Sequence, residues 1–359
     1  MTDTMNESSV NATENWHEYI KLALTEVPYS SQIIFSVALF IIFVASLIGN
    51  IITCVVIYYD RTMHTATNCY LFNLAVSDLL VTFPILIIIY QLLTQNSELF
   101  QYRYGVFSCN FVMCIHFLFI NVLWNNSIMV MTALSIERYI AVCYPMMLKG
   151  TPIWRRVGRI ILLIWTLAIL ETLPEFWMLE IFDTGTTLVC FSRPSQLGKI
   201  VTIVSAIGTF IVPLAIMIFV YTMIALRVND NNEMYKFKGT VINNGFKRKK
   251  VNKLIIALTA SFVFCWLPFF LLRTLMFAVD YEKFVQYHRW WSTAHKLSMF
   301  NSWMPTVLNP LLFSAMSIKF RKSFKKLWEG KLRKRNLRSE KSESTQSQRK
   351  KSTSYYQVE

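Results

Sequence analysis

Seven apolar runs divide this chain, each long enough to cross a lipid bilayer, and they leave it few folds to choose from. A spanning helix needs about 20 mostly apolar residues for a hydrocarbon core of roughly 30 Å. The runs fall at about 32–58, 68–93, 110–142, 157–179, 199–226, 251–279 and 292–316. Backbone groups cannot go unpaired in lipid, so each run is expected as a helix. A spanning barrel would need short alternating strands, and the sequence shows none. Of 359 residues only 16% are charged and 54% are hydrophobic, against about 25% charged in soluble domains. Too few charges are available to coat a surface, so apolar side chains must face lipid. The expected fold class is an all-α membrane protein, a seven-transmembrane helix bundle spanning 32–316.

Charge sets the orientation. The net charge is +15, and of 36 Lys+Arg residues 14 lie in Lys319–Glu359 and 8 in Arg227–Lys253. A nucleic-acid-binding protein reaches such a charge too, but long apolar runs do not separate its basic stretches. The connections after runs one, three and five carry Arg61, then Lys149, Arg155 and Arg156, then Lys236, Lys238 and Lys247 through Lys250. The opposite connections carry Glu98, Glu175, Glu180, Asp183, Asp280 and Glu282. Positive-inside bias places the N-terminus outside and the tail inside, as expected of a multi-pass plasma-membrane protein. Residues 1–31 read as a polar outer tail without an apolar signal core. They hold two glycosylation acceptors, Asn6-Glu7-Ser8 and Asn11-Ala12-Thr13. Residues 317–328 set Phe320, Phe324, Leu327 and Trp328 at helical spacing against lysines and arginines, an amphipathic eighth helix for the inner interface. Residues 329–359 are rich in serine and lysine and are expected to be disordered.

Polar groups inside the runs are costly and mark function. Asp78 lies deep in run two, Asn50 follows Gly49 in run one, and Asn309-Pro310 interrupts run seven. Pro213, Pro268 and Pro310 are expected to kink runs five, six and seven. Glu137-Arg138-Tyr139 closes run three at the inner face. Enzyme chemistry finds little support: the five histidines form no HExxH, the seven cysteines form no CxxC, and there is no phosphate-binding loop. A transporter would show internal repeats, and a channel a filter segment. Both remain remote alternatives, with a membrane enzyme.

Taken together, these residues resemble those of rhodopsin-like G-protein-coupled receptors over roughly 32–328. The matching pieces are Gly49-Asn50, Asn73 to Asp78, Glu137-Arg138-Tyr139, Trp165, Pro213 with Tyr221, Phe262 with Cys265-Trp266-Leu267-Pro268, and Asn309-Pro310 with Phe313. The resemblance implies that Arg138 turns toward Tyr221 and a heterotrimeric G protein on activation. It implies that Trp266 and Phe262 transmit ligand binding into outward movement of span six. Asn50, Asp78, Ser127 and Asn309 would line a central polar pocket that often holds sodium; no other cofactor is implied. An outer disulfide would join Cys190 to Cys109, with Cys114 the alternative. Two departures stand out. Phe313 replaces a common tyrosine, and Pro305 replaces a common asparagine.

The span-three place where amine receptors carry aspartate holds Ile120, and the retinal-lysine place in span seven holds Trp303. The segments Thr67–Leu80 and Ser314–Phe324, with Arg273 five residues past Pro268, look like the neuromedin U, pyrokinin and ghrelin branch. That branch's span-three glutamate is replaced by Asn121. The implied ligand is a neuropeptide, amidated at its end, with a lipid or other small ligand as the alternative. Candidate ligand contacts are Arg273, Asn121, His116, Glu171, Glu175 and His295, a mixed charge in the outer halves of the runs. Serines and threonines of the tail are candidate sites for receptor kinases and arrestin.

Overall fold

The computed structural model describes residues 29–94, 106–148, 152–176, 179–183, 188–192, 196–237, 244–276 and 286–330, with some side chains in these ranges left out. Asn6, Asn11 and residues 331–359 lie outside the described residues. So do the side chains of Cys109, Cys114, His116 and Cys190.

The first span is helix α1, Tyr29–Tyr59. Asp60 ends it by accepting from Thr62 N at 2.9 Å, which starts a short 3₁₀ turn, Arg61–Met63. Thr65 then caps α2, Ala66–Thr82, through Asn68 N. The second span continues as α3, Pro84–Thr94. Next come α4, Val106–Cys143, and α5, Ile153–Phe176. Two antiparallel strands, β1 (Leu179–Asp183) and β2 (Leu188–Ser192), follow with Ile181 opposite Cys190. The fifth span is α6, Gln196–Ser205, a π segment Ala206–Ile211, and α7, Val212–Phe237. The sixth is α8, Asn244–Met276, and the seventh is α9, His288–Trp303, with α10, Pro305–Met316. Residues 318–330 form α11.

The structure corrects the sequence reading at the prolines and adds detail elsewhere. A two-stranded hairpin stands in the connection after run four, its first strand beginning at the last residue of that run. The helical ladder is interrupted at Phe83 before Pro84 and at Met304 before Pro305, both of which keep right-handed helical dihedrals, whereas Pro310 sits inside α10. Each proline removes the N–H that would reach the carbonyl four residues back. At Pro310 that carbonyl, Thr306 O, receives Asn50 Nδ2 from span one at 2.8 Å, so the helix survives. Before Pro213 the π segment takes up the mismatch. Finally, among the described residues five helices are long and apolar enough to cross a membrane alone. The sixth span offers the shorter apolar stretch Thr259–Leu275, and the seventh is divided at Met304.

The core runs down the bundle axis through Tyr70, Leu74, Leu123, Ile128, Phe262, Trp266 and Trp303. The outer surface is apolar as well: Leu162 is 69% exposed, Phe264 70% and Phe219 58%. A water-soluble fold does not tolerate so large an apolar belt; a bilayer is its solvent. Gly49 brings spans one and seven together. A Cβ there would lie 2.9 Å from Pro310 Cγ.

Helix α11 is fastened to the bundle. Phe320 packs at a tilt against Phe313 with ring centroids 4.8 Å apart, Ser317 Oγ caps Phe320 N at 3.2 Å, and Lys319 Nζ donates to Thr62 O at 2.5 Å. Phe313 thus offers its ring to α11. The Ser323 hydroxyl beside Asp60 holds that carboxyl below its ordinary value of 3.8, helped by Thr62 and Lys326. A depressed carboxyl stabilises the fold above its unfolded pKa and stops doing so as pH falls through the folded one. The tie is therefore complete at neutral pH and lost only under acid. Asp60→Asn is expected to speed amide exchange in residues 318–330 at pH 7 while leaving the seven spans as protected as before; unchanged exchange there would argue against the tie.

Candidate functional site

Three polar clusters sit at different depths along the axis. At the end of the bundle that carries α11, Glu137 accepts from both Nη atoms of Arg156, at 2.5 and 2.7 Å. Glu137 is 6% exposed, so this is a shielded, two-pronged pair rather than a surface contact. The neighbouring Arg138 has a buried Nε without a partner among the described residues. The Tyr221 hydroxyl is bonded to Ser135, one turn before Arg138. Tyr139 packs edge-on against Tyr144 at 5.7 Å. Arg156, read from sequence as a topology charge, is thus the partner of Glu137.

In the middle, Asn309 Nδ2 donates to Asp78 Oδ2 at 3.0 Å. Thr82 Oγ1 meets Asp78 O at 2.5 Å and Ser46 Oγ at 2.6 Å, and Ser46 in turn meets Asn50 Nδ2 at 3.2 Å. One net of side chains thereby joins spans one, two and seven. Ser127, expected here, is buried but makes no hydrogen bond among the described residues. Its neighbour Asn126 takes the contact instead, donating to Ser77 Oγ at 2.6 Å. On a helix, one residue is a turn of about 100°, enough to exchange the two roles. Trp165 Nε1 reaches Asn73 Oδ1 at 3.2 Å, tying span four to span two.

Above the net lies an aromatic hub, of which sequence reasoning had singled out Trp266 and Phe262 but not Trp124 or Phe210. Trp124 of span three touches Trp266, Phe269 and Trp303 with ring centroids 5.2, 5.6 and 5.3 Å apart. Phe210 stacks on Phe262 and Phe270 at 5.6 and 5.1 Å. Edge and offset contacts of this kind add about 0.5–1.5 kcal/mol each beyond burial. The indole N–H groups of Trp124 and Trp266 are buried without partners among the described residues.

Toward the end opposite α11, one turn beyond Trp124, Arg273 Nη2 meets Glu175 Oε1 at 2.5 Å. The other carboxylate oxygen accepts Asn121 Nδ2 at 2.7 Å. Spans three, four and six therefore converge on one carboxylate that is 6% exposed. Three of the six residues singled out from sequence for ligand contact are brought together. Glu171 lies one turn from Glu175, half-buried and facing Gly208 of span five. His295 is exposed on α9 and its ring joins no hydrogen bond among the described residues.

Comparison with known proteins agrees with this geometry. The family model for the 7 transmembrane receptor (rhodopsin family) matches residues 49–313. The chain is 31% identical to neuromedin-U receptor 1 of Homo sapiens over 307 residues, covering 79% of this chain and 70% of that one. It is 28% identical to neuromedin-U receptor 2 of Mus musculus over 334 residues, covering 88% and 80%. It is 26% identical to the pyrokinin-1 receptor of Drosophila melanogaster, covering 81% and 78%. A seven-span bundle, a polar net around Asp78 and a family match over most of its length lead to one statement: this chain belongs to the rhodopsin family of seven-transmembrane receptors and is a receptor, not an enzyme.

Proposed function

We propose that the protein is a plasma-membrane receptor for an extracellular neuropeptide and that it activates a heterotrimeric G protein. The observation that carries this reading is the convergence of Arg273, Glu175 and Asn121 directly above Trp124 and Trp266. A peptide offers many donors and acceptors, and this cluster offers cation, anion and amide at the mouth of an aromatic shaft. The named relatives are receptors for neuromedin U and pyrokinin, which supports a peptide ligand over a lipid. In this reading the N-terminus is extracellular and glycosylated at Asn6 and Asn11. Cys190 is bonded to Cys109, the tail is cytoplasmic, and α11 lies in the inner interface. Phosphorylated tail serines would recruit arrestin.

The mechanism is a population shift, driven only by the ligand's differential affinity for the active arrangement. A ligand group that competes for Glu175 or Arg273 loosens the bond between spans four and six. Trp266 and Phe262 lie on the same face of α8 below, so a change at Arg273 reaches the kink at Pro268. Outward tilt of the inner half of α8 uncovers Arg138, whose Nε has no partner among the described residues. A sodium ion beside Asp78 would be held by that carboxylate and by Asn309 Oδ1, which is buried without a partner among the described residues, whereas Pro305 offers no side-chain oxygen. No step is assigned to an ion.

The test is intracellular calcium in cells carrying a promiscuous G protein, challenged with amidated neuropeptides. Arg138→Ala at matched surface expression serves as the signalling-dead control. A peptide response lost in the control establishes the reading. Silence across the panel with protein at the surface removes the peptide assignment, and a response to lipids instead would replace it.

A further inference from the structure

Pro268 leaves the carbonyl of Phe264, four residues back, without its helical N–H. Phe264 is 70% exposed on the face that meets lipid, where no water takes over the task. The partner comes from span seven: Asn301 Nδ2 donates to Phe264 O at 2.8 Å and to Cys265 O at 3.2 Å. Asn301 is itself placed by a second proline. It lies in the last turn of α9, and its own carbonyl, freed by Pro305, accepts Met304 N at 3.1 Å. One residue thus occupies the meeting point of Pro268 in span six and the turn before Pro305 in span seven.

The space around it explains why a side chain is needed. A groove of about 880 Å³ opens between the spans beside Pro268, lined by Val263, Leu267, Leu297 and Phe300 among others, and only Ser298 and Asn301 are polar there. The Asn301 amide reaches across to the span-six backbone at the edge of this groove. Span one treats Pro310 in the same manner, with Asn50 on Thr306 O. The two ties differ in consequence. Asn50 joins parts of the static net, whereas Asn301 joins span seven to the segment that moves in the reading given above, on which this inference rests.

We propose that Asn301 is the positioning residue of span six at Pro268: its amide replaces the N–H missing at Pro268 and holds this turn of the helix against span seven, so outward movement of span six must break this bond. Asn301→Leu keeps the bulk and removes the donor. At matched surface expression it is expected to raise ligand-independent signalling about threefold to tenfold, the span of a single net hydrogen bond. Asn301→Gln keeps a donor and should return signalling toward the parent level.

A double-mutant cycle in the melting temperature of the purified, ligand-free receptor isolates the bond. Pro268→Ala restores an N–H to Phe264 O. Asn301→Leu should therefore lower the melting temperature in the parent and by less than half as much in the Pro268→Ala background. Equal shifts in both backgrounds would mean that Asn301 merely packs, and would overturn the proposal, as would parent-level basal signalling in Asn301→Leu. If the chain did not signal at all, every variant would be silent while the melting cycle still reported the bond.

Discussion

Glu175→Ala is expected to cost about 2–4 kcal/mol of folding stability, because it strands the partly buried Arg273 and removes the acceptor of Asn121 Nδ2. Removing one partner of a shielded pair costs more than the pair itself contributes, so the loss alone does not show that the site binds anything. The informative variant is the double replacement Glu175→Leu with Arg273→Leu, which removes both charges and fills the space. Its melting temperature should return most of the way to the parent value, while peptide potency stays reduced at least about a hundredfold, consistent with roughly 3 kcal/mol of lost polar contact. Recovery of both would assign the pair to architecture alone and move the ligand site elsewhere. Thermal melting of the purified protein and calcium dose–response curves separate these outcomes.

Gly49→Ala is expected to reduce surface expression strongly and to lower stability by about 1–3 kcal/mol, the usual range for overpacking. The new Cβ would stand 2.9 Å from Pro310 Cγ and 3.1 Å from Pro310 Cβ. The ring cannot rotate away, so the spans must part. Both flanking ties then lengthen: Asn50 to Thr306 O and Asn309 to Asp78. Gly158 provides the control. A Cβ there meets nothing within 4 Å, so Gly158→Ala in a helix should be neutral or stabilising by up to about 1 kcal/mol. Equal behaviour of the two variants in surface labelling would show that spans one and seven are not in close contact.

Much of this was legible in the residues themselves. Asp78, Asn50 and Asn309 announce themselves because a polar group in an apolar run needs a partner, and Arg273 does so because it breaks such a run. Their partners were less legible. Glu175 stands 98 residues before Arg273 and reads equally well as a solvated rim. Arg156 stands among the inner basic residues that set topology, and nothing local marks it for Glu137. The choice of Asn126 over Ser127 depends on a rotation of one residue. Sequence flags a proline but not the neighbour that repairs it, which is why Pro310 was expected to break its helix and Pro305 was not. The hairpin Leu179–Asp183 with Leu188–Ser192 was missed because its first strand begins at the end of the fourth apolar run.

The ties of the first two spans end on residues that are synthesised last. Asn50 waits 256 residues for Thr306, Asp78 waits 231 for Asn309, and Thr62 waits 257 for Lys319. As the chain enters the membrane from its N-terminus, an amide and a carboxyl already sit in hydrocarbon without these partners, among the most costly groups to leave there. A chain halted after the sixth span exposes this defect to whatever surveys the bilayer for unfinished proteins. Arrival of the seventh span is therefore the event that certifies the receptor as complete, and a truncation anywhere before Thr306 should be retained and degraded rather than delivered as a partial bundle.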